Sequence, residues 1–89
     1  MKEPIEIQLV IRQGCHLCVA AEADLARVIA RFAAEHADRE YSVELLDISE
    51  YDELQRFSEE VPVLLINKKQ VSFWRIDEKR AFEHLSELA

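Results

Sequence analysis

Both cysteines of the chain, Cys15 and Cys18, stand in a single C-x-x-C pair within the stretch GCHLC, residues 14–18. Two thiols at that spacing can form a redox pair, supply half of a tetrahedral metal site, or lie buried and inert. A structural disulfide is a poor reading, because the loop it would close is too small to constrain the unfolded chain much. A closed zinc site needs four ligands, and the other histidines, His36 and His84, fall on different predicted helices. No residue set is therefore assigned to a metal within one chain. The redox reading depends on which thiol becomes a thiolate, and so on the elements that carry the pair.

Ile5, Ile7, Leu9 and Ile11 alternate with Glu6, Gln8 and Val10, which predicts a first strand ending near Arg12. From Leu17 the period changes to that of a long amphipathic helix. Asp24, Arg27, Arg31, Glu35 and Asp38 form its polar face, and Leu25, Val28, Ile29 and Phe32 its apolar one. YSVELLDI, residues 41–48, reads as a second strand, giving a parallel βαβ unit. Ser49 and Asp52 resemble a capping box for a short second helix carrying Tyr51, Leu54 and Phe57. VPVLLIN (61–67) and QVSFW (70–74) predict a β-hairpin across a tight Asn67 to Lys69 connection, in which Lys68 and Lys69 are most simply a polar turn, with Pro62 at the strand entrance. Asp77 is placed to cap a last helix that buries Ala81, Phe82, Leu85 and Leu88. The expected architecture is α/β, in the order β-α-β-α-β-β-α, with a four-stranded mixed sheet in one domain spanning residues 1–89.

That order puts Cys15 at a strand-to-helix turn. Unpaired N–H groups and the positive end of the helix dipole stabilise a thiolate there, so Cys15 is the expected nucleophile. Cys18, one turn on and on the same face, is shielded and able to reach back to it. Gly14 allows the sharp turn and leaves room for another chain to approach. His16, inside the pair, is either an exposed turn residue or a group that tunes Cys15. Arg12 is either a strand-end charge or a partner for a substrate carboxylate or the thiolate. Phe73 and Trp74 are hairpin core or a docking surface, and strand alternation predicts that one is less buried than the other.

The two cysteines beside a βαβ pattern, with the Val61–Pro62 step and the closing hairpin and helix, resemble the thioredoxin fold, and glutaredoxins most closely. RQGCHLC resembles the glutaredoxin segment with a basic residue three places before the nucleophile, and VPVLLINKKQV its valine, cis-proline, strand and turn. The resemblance implies that Cys15 attacks, Cys18 resolves, Pro62 is a cis-proline beside them, and the Val61 backbone is free to pair with substrate. It also implies a thiol-disulfide oxidoreductase with no bound cofactor. Leu9 stands where thioredoxins carry a buried aspartate, and Ser72 and Phe73 align with the glycine pair against which glutaredoxins hold glutathione. Glutathione is accordingly expected to be a poor co-substrate, and a protein disulfide or protein thiol donor the better partner. The competing readings are a dimer bridging an iron-sulfur cluster and a redox-inactive peptide-binding module.

At 89 residues the chain buries about two-thirds of its unfolded surface, enough for a modest core without staples. Eighteen acidic against eleven basic residues give a net charge of -7, which excludes nucleic acid as an expected partner. The N-terminal stretch has no long apolar leader, and no run reaches membrane-spanning length. The expectation is a soluble cytoplasmic monomer that binds no membrane.

Overall fold

The computed structural model describes residues 3–89; Met1 and Lys2, part of the N-terminal stretch considered above, lie outside the described residues. β1 (Ile5–Ile11) and β2 (Tyr41–Asp47) run parallel in register, Ile5 beside Tyr41 through Ile11 beside Asp47. Antiparallel to β1 runs β3 (Val63–Ile66), which pairs with β4 (Lys69–Phe73), so the sheet order is β2-β1-β3-β4. α1 (His16–Glu35) links β1 to β2, and α2 (Glu78–Leu88) follows β4. The mixed four-stranded sheet is as expected.

β1 lies inside the sheet and is covered on both faces. On one side Ile5, Ile7 and Leu9 meet Leu25, Val28 and Phe32 of α1, Leu64 and Ile66 of β3, and Ala81 and Leu85 of α2. On the other, Val10, Val63 and Leu65 meet Ile48, Leu54 and Phe57. The odd-numbered residues of β1 were legible as a core face; the burial of Val10 was not, because it depends on the segment that crosses the far side. α2 is capped as expected, with the Asp77 side chain accepting from the Arg80 N–H. Its Phe82 is only half-buried and lies under the Arg31 guanidinium, 3.8 Å from the ring centroid.

Several local expectations are corrected. α1 ends at Glu35, so Asp38 lies beyond its polar face in a turn. The short second helix is two 3-10 segments, Ile48–Glu50 and Asp52–Phe57. No Ser49–Asp52 capping box forms. Instead Asp47 accepts from both the Ser49 N–H (2.9 Å) and the Ser49 hydroxyl (2.8 Å), which turns the chain out of β2 one step earlier. The hairpin turn, by contrast, falls within the expected Asn67 to Lys69 connection: Asn67 and Lys68 are both at positive φ (50° and 66°), as a two-residue turn matching the twist of its strands requires. Asn67 Oδ1 also accepts from the Glu6 N–H, and the Asn67 N–H donates to the Glu6 carbonyl, tying the turn to β1.

Val43 and Leu45 lie on the outer strand β2 and are exposed, Leu45 by 50%. The two groups of apolar residues should therefore respond differently to truncation. Phe32→Ala, at a fully buried ring, is expected to cost about 3–5 kcal/mol in denaturant unfolding. Leu45→Ser should change stability by no more than about 0.5 kcal/mol.

Candidate functional site

β1 ends at Ile11, and three residues later the chain reverses into α1 through Gly14 at φ 77°. That is the left-handed region a side chain disfavours, while the space where a Cβ would sit is open. Gly14 is thus required by backbone conformation and not by crowding. The next residue, Cys15, is the N-cap of α1, and its sulfur accepts the Cys18 N–H at 3.2 Å. A sulfur here does what a serine or aspartate oxygen does at other N-caps, taking up an orphan N–H of the first turn.

The two thiols have opposite electrostatics. Desolvation pushes Cys15 upward, but it is outweighed by hydrogen bonds from the Cys18 thiol and the N–H groups of Cys18 and Leu17, and by the Arg12 charge. The net effect holds Cys15 below the ordinary thiol value. Cys18 is only 2% exposed; desolvation first, then its hydrogen bond to the Cys15 sulfur, pushes it up to about 11. The Arg12 N–H, donating to the Cys18 sulfur at 3.5 Å, partly offsets this. Both are free thiols, one half-exposed and acidic, the other buried behind it.

Beside Cys15 opens a cleft of about 580 Å³ lined by Arg12, Cys15, Leu17, Ser58, Val61 and Trp74 among others. A larger groove of about 850 Å³ runs along β4 and the start of α2, but it contains neither cysteine and mixes acids with arginines. The smaller cleft is the one with chemistry in it. Its far wall is the 58–61 segment, held by backbone carbonyls: Ser58 O accepts Arg12 Nη2 at 2.7 Å, and Glu59 O accepts Trp74 Nε1 at 2.9 Å. The Val61–Pro62 bond is cis, and Pro62 is fully buried.

Three expectations about this wall change. The Val61 backbone is only half free, since its N–H donates to Phe57 O (3.1 Å); among the described residues its carbonyl receives no hydrogen bond. Phe73 and Trp74 are both exposed, by 47% and 53%, instead of one being buried. The reason is that β4 stops at Phe73 and Trp74 leaves it at φ 66°, so strand alternation no longer applies. Finally, Ser72 and Phe73 do not line the cleft; Trp74 does. A bulky residue at positive φ is unusual, and here three hydrogen bonds retain it: its N–H donates to Pro62 O (2.8 Å) and Glu60 O (3.1 Å), and its indole N–H to Glu59 O. Phe73 stacks edge-on against it, ring centroids 5.1 Å apart.

His16 opens α1 and is exposed; among the described residues no hydrogen bond or ion pair ties it to either sulfur. Leu17, half-exposed in the cleft wall, and the Ser58 and Glu59 carbonyls were not singled out from the sequence. A leucine between two cysteines carries no chemical signal, and backbone carbonyls carry none at all. Among the described residues no group of three or more His, Cys, Asp or Glu side chains is placed to hold a metal ion, and no helix is long and apolar enough to cross a membrane.

Solved structures share this architecture. A Staphylococcus aureus protein of unknown function superposes with a TM-score of 0.71 at 13% identity, covering 96% of this chain and 91% of its own. A structural-genomics target protein from X. campestris gives 0.66 at 24% identity, covering 91% and 96%. Deadhead, a germline-specific thioredoxin of Drosophila melanogaster, gives 0.63 at 13% identity, covering 99% and 84%. Identities this low bear on the fold, which is thioredoxin-like. No curated protein matches the sequence. The sequence pattern of the glutaredoxin-like domain (DUF836) matches residues 6–86, nearly the whole chain from β1 to the last turn of α2, and the chain belongs to that family.

Proposed function

We propose that this protein is a dithiol thiol-disulfide oxidoreductase acting on protein disulfides. The observation that carries the reading is Cys15 Sγ capping a 20-residue helix, with buried Cys18 hydrogen-bonded behind it. In this reading the Cys15 thiolate attacks a substrate disulfide, one substrate sulfur leaves as a thiol, and the other stays bonded to Cys15. Cys18 then attacks the Cys15 sulfur, the second substrate thiol leaves, and a Cys15–Cys18 disulfide holds the oxidising equivalents. The chemistry needs only the two sulfurs and a later thiol donor to reset them. Arg12, Val61 and Trp74 are assigned to substrate binding, with the Val61 carbonyl as the backbone acceptor, while Pro62 sets the Val61 backbone and Phe73 only supports the Trp74 ring from outside the cleft. The reading suits a cytoplasmic monomer, where partner thiols are kept reduced and a lone C-x-x-C pair is a redox motif.

Substrate choice follows from Trp74. A tripeptide such as glutathione needs backbone it can lie against, and the indole stands over the segment beside Cys15. The ring instead offers an apolar face with its polar edge already bonded, which suits a protein surface. Arg12 gives a carboxylate one charge-assisted contact worth about 1.5–3 kcal/mol, too little alone for better than millimolar binding after association costs.

Two measurements test this reading. At pH 7 a thiol near 11 is ionised about one part in 10⁴, far less than a thiol held below the ordinary range. Even after the lower intrinsic reactivity of the more acidic thiolate is counted, Cys15 should be alkylated more than about tenfold faster than Cys18. Its rate should rise with pH and level off below the ordinary thiol range, because ionisation is complete sooner. Cys18→Ser should accumulate a mixed disulfide on Cys15; equal labelling and no trapped adduct would refute the assignment. Second, Trp74→Gly should raise turnover of a glutathione mixed disulfide relative to a protein disulfide by roughly tenfold, whereas glycine at Ser72 and Phe73 should change the ratio little. The opposite ranking would return the blockade to Ser72 and Phe73.

A further inference from the structure

The dithiol reading leaves one proton without a destination. When Cys15 carries a substrate in a mixed disulfide, its sulfur is no longer a thiolate and cannot accept the Cys18 proton. Cys18 is 2% exposed, so bulk water reaches it poorly, and burial has pushed its thiol up to about 11. Without a local acceptor, burial alone would keep most molecules from carrying the thiolate that resolution needs at neutral pH. β1 provides no acid here: its last residues are Leu9, Val10 and Ile11, the first two fully buried.

α1 does provide one. Glu22 stands four residues after Cys18, on the same helical face. Cβ atoms at that spacing lie about 5–6 Å apart, and helical side chains lean toward the N-terminus, so the Glu22 side chain extends toward the sulfur. It is half-buried, and no hydrogen bond or ion pair engages its carboxylate among the described residues, whereas Asp24 and Glu35 on the same helix are both paired with arginines. The Glu22 charge also reaches Cys18, where it disfavours a thiolate for as long as Glu22 is ionised and ceases to do so once Glu22 has taken the proton. The other charged groups around the helix mouth are committed or turned outward. The Arg12 guanidinium is on Ser58 O, the Asp47 carboxylate is bound by Ser49, and His16, Glu50 and Glu59, the last of these a lining residue of the cleft on the side of Cys15, are exposed.

We propose that the Glu22 carboxylate, directly or through one water, accepts the Cys18 proton as Cys18 attacks the mixed disulfide on Cys15. The inference rests on the dithiol reading above. In the step, the Cys18 S–H bond breaks and its proton passes to Glu22. The Cys18 sulfur bonds to the Cys15 sulfur, and the bond from Cys15 to the substrate sulfur breaks with its electron pair. The departing thiolate takes a proton from Glu22 or solvent. Both cysteines end oxidised in one disulfide, the substrate sulfur ends as a thiol, and Glu22 is again a carboxylate. When a thiol donor reduces the protein, Glu22 takes up the proton that the donor thiol releases and passes it to the departing Cys18 sulfur.

Dipyridyl disulfide separates the two steps, since the first pyridinethione released reports attack by Cys15 and the second reports resolution by Cys18. Glu22→Gln should leave the first release unchanged, which also shows that the variant is folded, and slow the second by roughly a hundredfold at neutral pH, the low end for a positioned proton acceptor. Its second release should then rise in proportion to hydroxide until the Cys18 thiol itself ionises, while the native profile is much shallower. Glu22→Asp, with the carboxylate one methylene shorter, should recover part of the rate and the shallow profile. A Glu22→Gln protein whose second release matches the native one in rate and pH slope overturns the proposal. A native protein with no second release overturns it together with the dithiol reading. Two normal releases, slowed as described in Glu22→Gln, but no turnover of protein disulfides would overturn only the substrate choice and leave Glu22 as the acceptor.

Discussion

The hydrogen bond from the Cys18 N–H to the Cys15 sulfur is the contact on which the site depends. It makes one sulfur the cap of a long helix, which gives that sulfur a partner for negative charge, and it brings the second sulfur within reach of the first. The bond exists only because the chain turns sharply between β1 and α1, and Gly14 at positive φ makes that turn. β1 in turn is fixed by apolar contacts on both faces, so the sulfur pair projects from one of the most constrained points of the molecule. A nucleophile presented this way needs little reorganisation to react.

The opposing wall of the cleft is built by different means. The 58–61 segment has no regular structure, yet its position is set by carbonyls that receive Arg12 and Trp74. Trp74 accepts a left-handed backbone to make those contacts, and the strain of that conformation is offset by three hydrogen bonds. The same residue then presents its ring to whatever approaches Cys15. Binding surface and structural clamp are thus one side chain, which ties the shape of the cleft to its occupant more tightly than a glycine pair would.

Burial of Cys18 has two consequences that pull against each other. It protects the resolving thiol from unwanted partners and keeps Cys15 the sole entry point, but it also raises the free energy of the thiolate that resolution requires. In the proposed cycle an acid one turn along the helix, Glu22, would relieve that conflict without exposing the sulfur. The helix would then contribute at both ends of the pair: its N–H groups favour charge on Cys15, and its second turn would take the proton that Cys18 loses.

Much of this was open to reading from the chain alone, because the information is local. Period-two and period-3.6 patterns mark β1 and α1, Asp77 marks the start of α2, and a C-x-x-C pair at their junction assigns unequal roles to Cys15 and Cys18 from helix electrostatics. What needed the folded molecule was long-range. Asp47 outcompetes Ser49 for the turn after β2 because the strand ends in register with Ile11, and Val10 is buried because the 3-10 segments cross the far face of the sheet. Trp74, and not Ser72 or Phe73, lines the cleft with Cys15 because the backbone inverts just after β4 to reach carbonyls that are 12 to 15 residues away in sequence. Residue types and spacing determine which group can react; which neighbour stands beside it is decided by hydrogen bonds to backbone atoms, and these are the same for every residue type and so leave no mark on the sequence.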